Sequence, residues 1–260
     1  RPNEISQMID SETPWYTQFY GRDYLDALGP GLTDTDQETQ FVITALALKP
    51  GDQVLDLACG QARHAVLLAR RGIDMTGQDQ SAEYLDDARA AAIREGVELA
   101  LVNSDMRTIP FERRFDAVIS MFTSFGYFDS QRDDQQVLAE ISKALKTNGH
   151  VLIDLINREW VIANNQPSER RENADGTVVL EERELNLHTS RNQVTFTFVD
   201  KHGKKRESIG HRIRLYTLTE IIQMLGEAGL SFKQVYGGFD SEPYTPSTRR
   251  MIVIARKGRR

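Results

Sequence analysis

Cysteine, net positive charge and long apolar runs are all scarce in this chain of 260 residues. A single cysteine, Cys59, excludes an intramolecular disulfide and suits a reducing compartment. No apolar run approaches the roughly 20 residues that a membrane span requires, and no signal peptide is expected at the start, which together point to a cytoplasmic protein. Positive charge is not in excess: 32 Lys and Arg stand against 38 Asp and Glu, a net charge of −6. General attraction to nucleic acid or to an anionic membrane is therefore not expected. The basic clusters at 201–206 and 256–260 read as a solvated turn and a tail. There is no internal repeat, no low-complexity segment, and no spacing of His, Cys or acids that would hold a metal. The remaining composition, 40% hydrophobic and 27% charged, supports a sizeable core in one large α/β domain with an insertion, or in two small domains.

Between residues 52 and 156 a strand–turn–helix pattern repeats. Val54 to Leu57 predicts a strand, and a helix follows over about 62–71, closed by Gly72. Ile73 to Gly77 predicts a second strand ending at Asp79. Ser81 stands where an N-cap belongs, and Leu85, Ala88 and Ala92 recur at helical spacing up to Gly96. Strands three to five are expected at Leu99 to Val102, Phe115 to Met121 and His150 to Ile156. Val137, Leu138, Ile141 and Leu145 mark one face of the helix before strand five, with Asn148-Gly149 as its stop. This alternation calls for a doubly wound, mostly parallel sheet, in which strands covered on both faces are almost wholly apolar.

Residues 158–215 differ. They show no clear helix but strand-like alternation at Thr177 to Glu181, Val194 to Val199 and Ile209 to Leu215, with turns at Asp175-Gly176 and His202-Gly203. This predicts an antiparallel β insertion. Thr217-Leu-Thr-Glu220 has the form of a capping box that opens a last helix ended by Gly229. Phe232 to Tyr236 and Met251 to Ala255 are expected to pair antiparallel at the sheet edge.

Val54-Leu-Asp-Leu-Ala-Cys-Gly-Gln-Ala-Arg63 is the stretch richest in chemical information. A dinucleotide site would place G-x-G-x-x-G after the first strand, so that the backbone can approach a pyrophosphate. Here Ala58, Gly60 and Arg63 occupy those positions. A cofactor without phosphates suits this loop better, and carboxylates close three successive strands: Asp56, Asp79 and Asp105. In a doubly wound sheet they gather along one crevice at the carboxyl ends. There an acid after strand two can accept both ribose hydroxyls, and one after strand three can take an adenine amino group. Cys59 reads as a small space-filler in the loop.

These stretches, with Thr76-Gly-Gln-Asp79-Gln-Ser81, Asn103-Ser-Asp105-Met106 and Phe115-Asp-Ala-Val-Ile, resemble the successive motifs of class I S-adenosylmethionine-dependent methyltransferases. The resemblance covers about residues 40–157 and implies the family's seven-stranded Rossmann-like sheet. It further implies S-adenosylmethionine as cofactor and S-adenosylhomocysteine as product. Cofactor roles then fall to Asp56, Gly60, Arg63, Asp79, Gln80, Asp105, Met106 and Met121. The family loop usually holds two or three glycines, and Ala58 and Ala62 depart from that pattern.

Past strand four, Met121-Phe-Thr-Ser-Phe-Gly-Tyr127 lacks the Asn/Asp-Pro-Pro-aromatic motif of nucleic-acid amino-methylating enzymes. The run instead is similar to small-molecule N-methyltransferases, including those acting on nucleotide-linked amino sugars. Phe19-Tyr-Gly-Arg-Asp-Tyr24 resembles the aromatic segment that those enzymes fold over the cofactor. Tyr20 and Tyr127 are the candidate catalytic aligners. Tyr16, Tyr24, Phe125, Asn157, Arg158, His211, Tyr216 and Tyr244 are candidate acceptor-binding residues. The expected organisation is a helical cover over residues 1–40, a core over 41–157 plus 216–260, and the insertion over 158–215 beside the acceptor pocket. The acceptor is a small molecule, methylated at nitrogen in preference to oxygen or carbon. A non-catalytic S-adenosylmethionine-binding protein is the alternative, and a homodimer is left open.

Overall fold

The structure is a computed structural model and describes residues 34–173 and 175–258, without the side chains of 207–209. Its main sheet contains β1 (Gln53–Leu57), β2 (Asp74–Asp79), β3 (Ala100–Asn103), β4 (Phe115–Ser120), β5 (Leu145–Ile156), β10 (Leu230–Tyr236) and β11 (Arg250–Lys257). Their spatial order is β3-β2-β1-β4-β5-β11-β10. The first five strands run parallel to one another, and β11 lies antiparallel between β5 and β10. The antiparallel pairing of the last two strands was expected at the sheet edge, yet only β10 is an edge strand.

Alternate residues of each central strand enter different cores, which explains why those strands are apolar throughout. Val54, Ile119, Leu152 and Ile252 face α1 (Thr35–Leu46), α2 (Arg63–Arg70) and α3 (Ala82–Glu95). Leu55, Val118, Val151 and Val253 face α4 (Gln131–Ala144) and α6 (Leu218–Glu227). The switch in strand order beside β1 opens the crevice at the carboxyl ends, where β1, β2 and β4 deliver their terminal residues.

Local signals set most boundaries. Ser81 caps α3 by accepting the Tyr84 N–H, and Gly96 ends that helix at φ 65°. Thr217 and Glu220 form the reciprocal capping box of α6. The helix before β5, however, stops at Ala144 and not at Asn148-Gly149. Leu145 turns extended and its buried side chain reaches the same core from the strand, opposite Phe115. The strand register slips between Phe115 and Ala117, and Asn148 sits at φ 67° inside β5. A short helix, α5 (Arg158–Asn164), was also not expected. It has seven residues, too few to display periodicity, and is capped by Asn157. Helix α1 runs across residue 40, where the cover was expected to end.

The described residues form two compact units. One holds 34–165, 185–192 and 213–258. The other holds 166–184 and 193–212, without residue 174. Sheet strands β6 (Ser168–Glu172), β7 (Val178–Asn186), β8 (Arg191–Val199) and β9 (Lys205–Arg214) follow in chain order. β6 pairs antiparallel with β7. In β8, Asn192, Val194, Phe196 and Phe198 are buried and alternate with more exposed residues, as a half-buried strand requires.

Candidate cofactor site

The loop from β1 to α2 places Ala58, Gly60 and Ala62 at φ 59°, 53° and 58°. These are left-handed conformations that glycine adopts freely and alanine does not. The two alanines thus follow the backbone path expected of a glycine-rich loop, despite their side chains. Three of the loop's amides are taken up by β2 and by the loop itself. Cys59 N–H donates to the Gln78 carbonyl (3.0 Å), Gly60 N–H to Asp79 Oδ2 (2.8 Å) and Ala62 N–H to the Cys59 carbonyl (2.9 Å). A phosphate cradle needs such donors pointing outward; here these three point inward. Cys59 fills the space over β2, where a Cβ on Gly77 would meet its sulfur at 2.9 Å. Burial pushes its thiol pKa up, and Asp56 and Asp79 add to the shift. It is a space-filler, as read from the sequence.

Asp56, the penultimate residue of β1, is buried, with Oδ2 unpartnered. Desolvation raises its pKa to about 6; His64 and Arg63 oppose the rise and Asp79 adds to it. The backbone N–H of Ala65, in the first turn of α2, also favours its ionised form. Asp56 thereby serves a helix whose own N-cap, Ala62, has no capping side chain. Asp79 ends β2 and pins the loop: Oδ2 accepts from Gly60 and Oδ1 from Ser81 (2.9 Å). Burial raises its pKa against these amides. Each oxygen retains a lone pair, enough for a ribose diol. Gln80 follows it half-buried, with its carbonyl bound by Asn103. Asp105 is differently placed. Burial opposes its ionisation, but the Arg107 backbone N–H and guanidinium fork hold its carboxyl below the usual range. An adenine amino group would have to share a carboxylate that already accepts three hydrogen bonds.

Below the loop, Arg63 does not stand alone. Its guanidinium meets Glu38 (3.1 Å) and Thr35 Oγ1 (2.7 Å) of α1 and lies 4.2 Å above the Phe122 ring. His64 pairs with the same buried Glu38 at 2.8 Å and stacks on Phe122. Asp56, Glu38, Arg63 and His64 thus form one polar cluster at the head of α2.

Residues 54–149 match the family described as a methyltransferase domain. Over 227 residues the chain is 27% identical to the glycine/sarcosine N-methyltransferase of Aphanothece halophytica, spanning 86% of this chain and 83% of that protein. The CcbJ methyltransferase of Streptomyces caelestis has the same fold, with a TM-score of 0.81 at 20% identity over 94% of this chain and 98% of that one. An S-adenosylmethionine-dependent methyltransferase of Clostridium acetobutylicum ATCC 824 scores 0.79 at 18% identity, covering 92% and 99%. Over residues 54–149 the chain matches a methyltransferase domain, and along most of its length it is similar to S-adenosylmethionine-dependent methyltransferases.

The remaining expected site residues fare unevenly. Tyr16, Tyr20 and Tyr24 lie outside the described residues. Tyr127 is half-buried against Val161, Ile213 and Leu215; of the two cofactor candidates, Met121 is buried within one main core and Met106 packs against the other, partly buried. Phe125 and Tyr216 are core residues, not pocket walls. They pack on each other at 5.6 Å, and Tyr216 Oη donates to the buried Asp134 at 2.6 Å. Asn157 is a structural staple: its Nδ2 donates to the Thr245 and Thr248 carbonyls, and its Oδ1 caps α5. Tyr244 is tied to Glu159 (2.9 Å), and Arg158 to Ser190 (3.3 Å) and Glu159 (3.7 Å). His211 belongs to the other unit, where burial, with Arg183 adding, lowers its pKa to about 4, so it is neutral and weakly basic at pH 7.

Glu38, Phe122, Asp134 and the Asp154–Arg250 pair escaped the sequence reading. Only Asp134 left a local trace: it occupies the position three before Val137 on the apolar face of α4.

Proposed function

We propose that this methyltransferase methylates a small amine, with Asp79 holding the ribose of S-adenosylmethionine and Arg63 its carboxylate. One observation carries the cofactor assignment: three amides of the β1–α2 loop turn inward and carboxylates gather beside it, a poor bed for pyrophosphate and a good one for a phosphate-free, cationic ligand. The unpartnered buried oxygen of Asp56 fits the same ligand, whose ammonium would complete it. When bound, S-adenosylmethionine supplies a methyl group already activated on a sulfonium. The chain's own task is then to align the acceptor, exclude water and keep the nitrogen unprotonated. Tyr127 and the turn after β4 are the residues we assign to alignment. An amine with some neutral fraction needs no strong base. Nitrogen is favoured over oxygen and carbon by the glycine/sarcosine N-methyltransferase, a match over 86% of the chain.

Calorimetry with S-adenosylhomocysteine tests the cofactor site. Asp79→Ala should weaken binding about 100-fold or more, since it removes two charge-assisted hydrogen bonds worth about 1.5–3 kcal/mol each. Unchanged affinity removes Asp79 from the ribose role. Methyl transfer from labelled S-adenosylmethionine to glycine, sarcosine, amino sugars and matched alcohols then tests the acceptor class. Alcohols labelled in preference to amines would overturn the nitrogen assignment.

A further inference from the structure

The turn after β4 holds a conformation that its residues do not favour. Phe122 and Thr123 lie in the left-handed region at φ 55° and 59°, a state that side chains resist and that persists only where the surroundings impose it. Three hydrogen bonds impose it here. Asp154 Oδ2 accepts the Phe122 N–H at 2.8 Å, and the Asp154 carbonyl accepts the Thr123 N–H at 2.8 Å. Thr123 Oγ1 accepts the Ile156 N–H at 2.9 Å.

Asp154 is fully buried on β5. Arg250 of β11 forks it, Nε to Oδ1 at 2.7 Å and Nη2 to Oδ2. Such a buried pair contributes little stability by itself, because desolvation offsets the attraction. Its geometry shows a different use. The turn it holds delivers the Phe122 ring into stacks with His64 (5.6 Å) and with Phe239 (6.0 Å). Arg250 lies 5.0 Å from the same ring, and Arg63 lies 4.2 Å from it. The Arg63 guanidinium is therefore located by Glu38 and Thr35 from α1 and by Phe122 from the turn.

We infer that Asp154 and Arg250 are positioning residues for the amino-acid half of the cofactor, acting through Phe122 to fix Arg63. The inference rests on the reading of Arg63 as the partner of the cofactor's carboxylate. Neither Asp154 nor Arg250 touches that carboxylate; they set the angle of the ring that sets the guanidinium.

The test compares two ligands by calorimetry: S-adenosylhomocysteine, and the same molecule lacking its carboxylate. Phe122→Leu removes the ring but keeps most of its bulk. It should weaken S-adenosylhomocysteine about 3- to 30-fold, the factor a cation–π contact commands, and change the decarboxylated ligand less than twofold. Phe122→Tyr keeps the ring and should restore wild-type affinity. Asp154→Asn keeps an acceptor for the Phe122 N–H but loses the charge that orders Arg250, and should show the same split, smaller. A purely structural role would weaken both ligands equally, and that result overturns the inference, as does unchanged affinity in Phe122→Leu. If Asp154→Asn does not fold, the Phe122 pair decides. A wild-type protein that binds S-adenosylhomocysteine no better than its decarboxylated form refutes the Arg63 reading instead, and one that binds neither refutes the cofactor site.

Discussion

Exchanging alanine and glycine in the β1–α2 loop separates backbone strain from packing at three neighbouring positions. Ala58, Gly60 and Ala62 share φ values between 53° and 59°. Alanine in this region costs about 1–2 kcal/mol relative to its preferred conformations. Glycine escapes that cost but brings about 0.5–1 kcal/mol of extra chain entropy to the unfolded state. Gly60→Ala introduces a Cβ whose nearest neighbour is Tyr84 Cδ2 at 3.9 Å, ordinary contact, so sterics add little. The net expectation is a loss of about 0.5–1.5 kcal/mol, the strain less the entropy returned. Ala58→Gly reverses both terms and should stabilise by about 0.5 kcal/mol. Ala62 is fully buried, so Ala62→Gly also forfeits about 0.8 kcal/mol of methyl burial and should come out neutral or slightly destabilising. Urea denaturation of the four proteins measures the order Ala58→Gly, wild type, Ala62→Gly, Gly60→Ala. Heat should show the same order, with each 1 kcal/mol moving the melting point by about 2–4 °C. A costless Gly60→Ala, or an Ala58→Gly that loses more than about 1 kcal/mol, would refute the claim that both alanines are held in a glycine conformation.

Burial raises the Asp56 pKa from 3.8 to about 6, and the sign of its effect on stability follows. Below pH 4 the group is protonated both folded and unfolded and costs nothing. Between pH 4 and 6 the unfolded chain releases the proton first, so stability falls as pH rises, by up to about 3 kcal/mol. Asp56→Asn should remove that slope, and its advantage over wild type in urea should grow from pH 4 to pH 7. A difference that stays flat with pH would contradict the assignment. Tyr216→Phe deletes the hydroxyl that donates to Asp134 at 2.6 Å, leaving a buried acid short of a donor. The expected loss is about 1.5–3 kcal/mol in urea denaturation; a loss below about 0.5 kcal/mol would show that Asp134 finds another partner.

Local chemistry was readable from the sequence, and long-range chemistry was not. The Ser81 cap, the Thr217–Glu220 box and the alternation of strand and helix are relations between residues a few positions apart, and all three are present. The acids at strand ends were found because a parallel sheet brings successive ends together by topology alone. The helix before β5 was drawn too long because Leu145 is apolar on either account, as a helix-face residue or as the first residue of a strand. Phe125, Asn157 and Tyr216 look like pocket residues by type and place in the chain. Only their partners reveal a structural role, and for Asn157 these lie 88 and 91 positions away. Asp154 and Arg250 are separated by 96 positions, so no local pattern could announce the pair.

The placement of β11 has a consequence for how this protein is made. β11, which follows β5 and β10 in the chain, fills an interior slot between them, so the sheet stays divided until residues 250–257 leave the ribosome. Until then β5 presents an open edge, and Asp154 stands in an apolar strand without Arg250. A charge without its partner is poorly tolerated inside a core, and an unpaired strand edge invites pairing with other chains. A nascent chain that stalls before Arg250 therefore exposes both faults together. Synthesis of β11 removes both at once, and is the step that joins the two parts of the sheet.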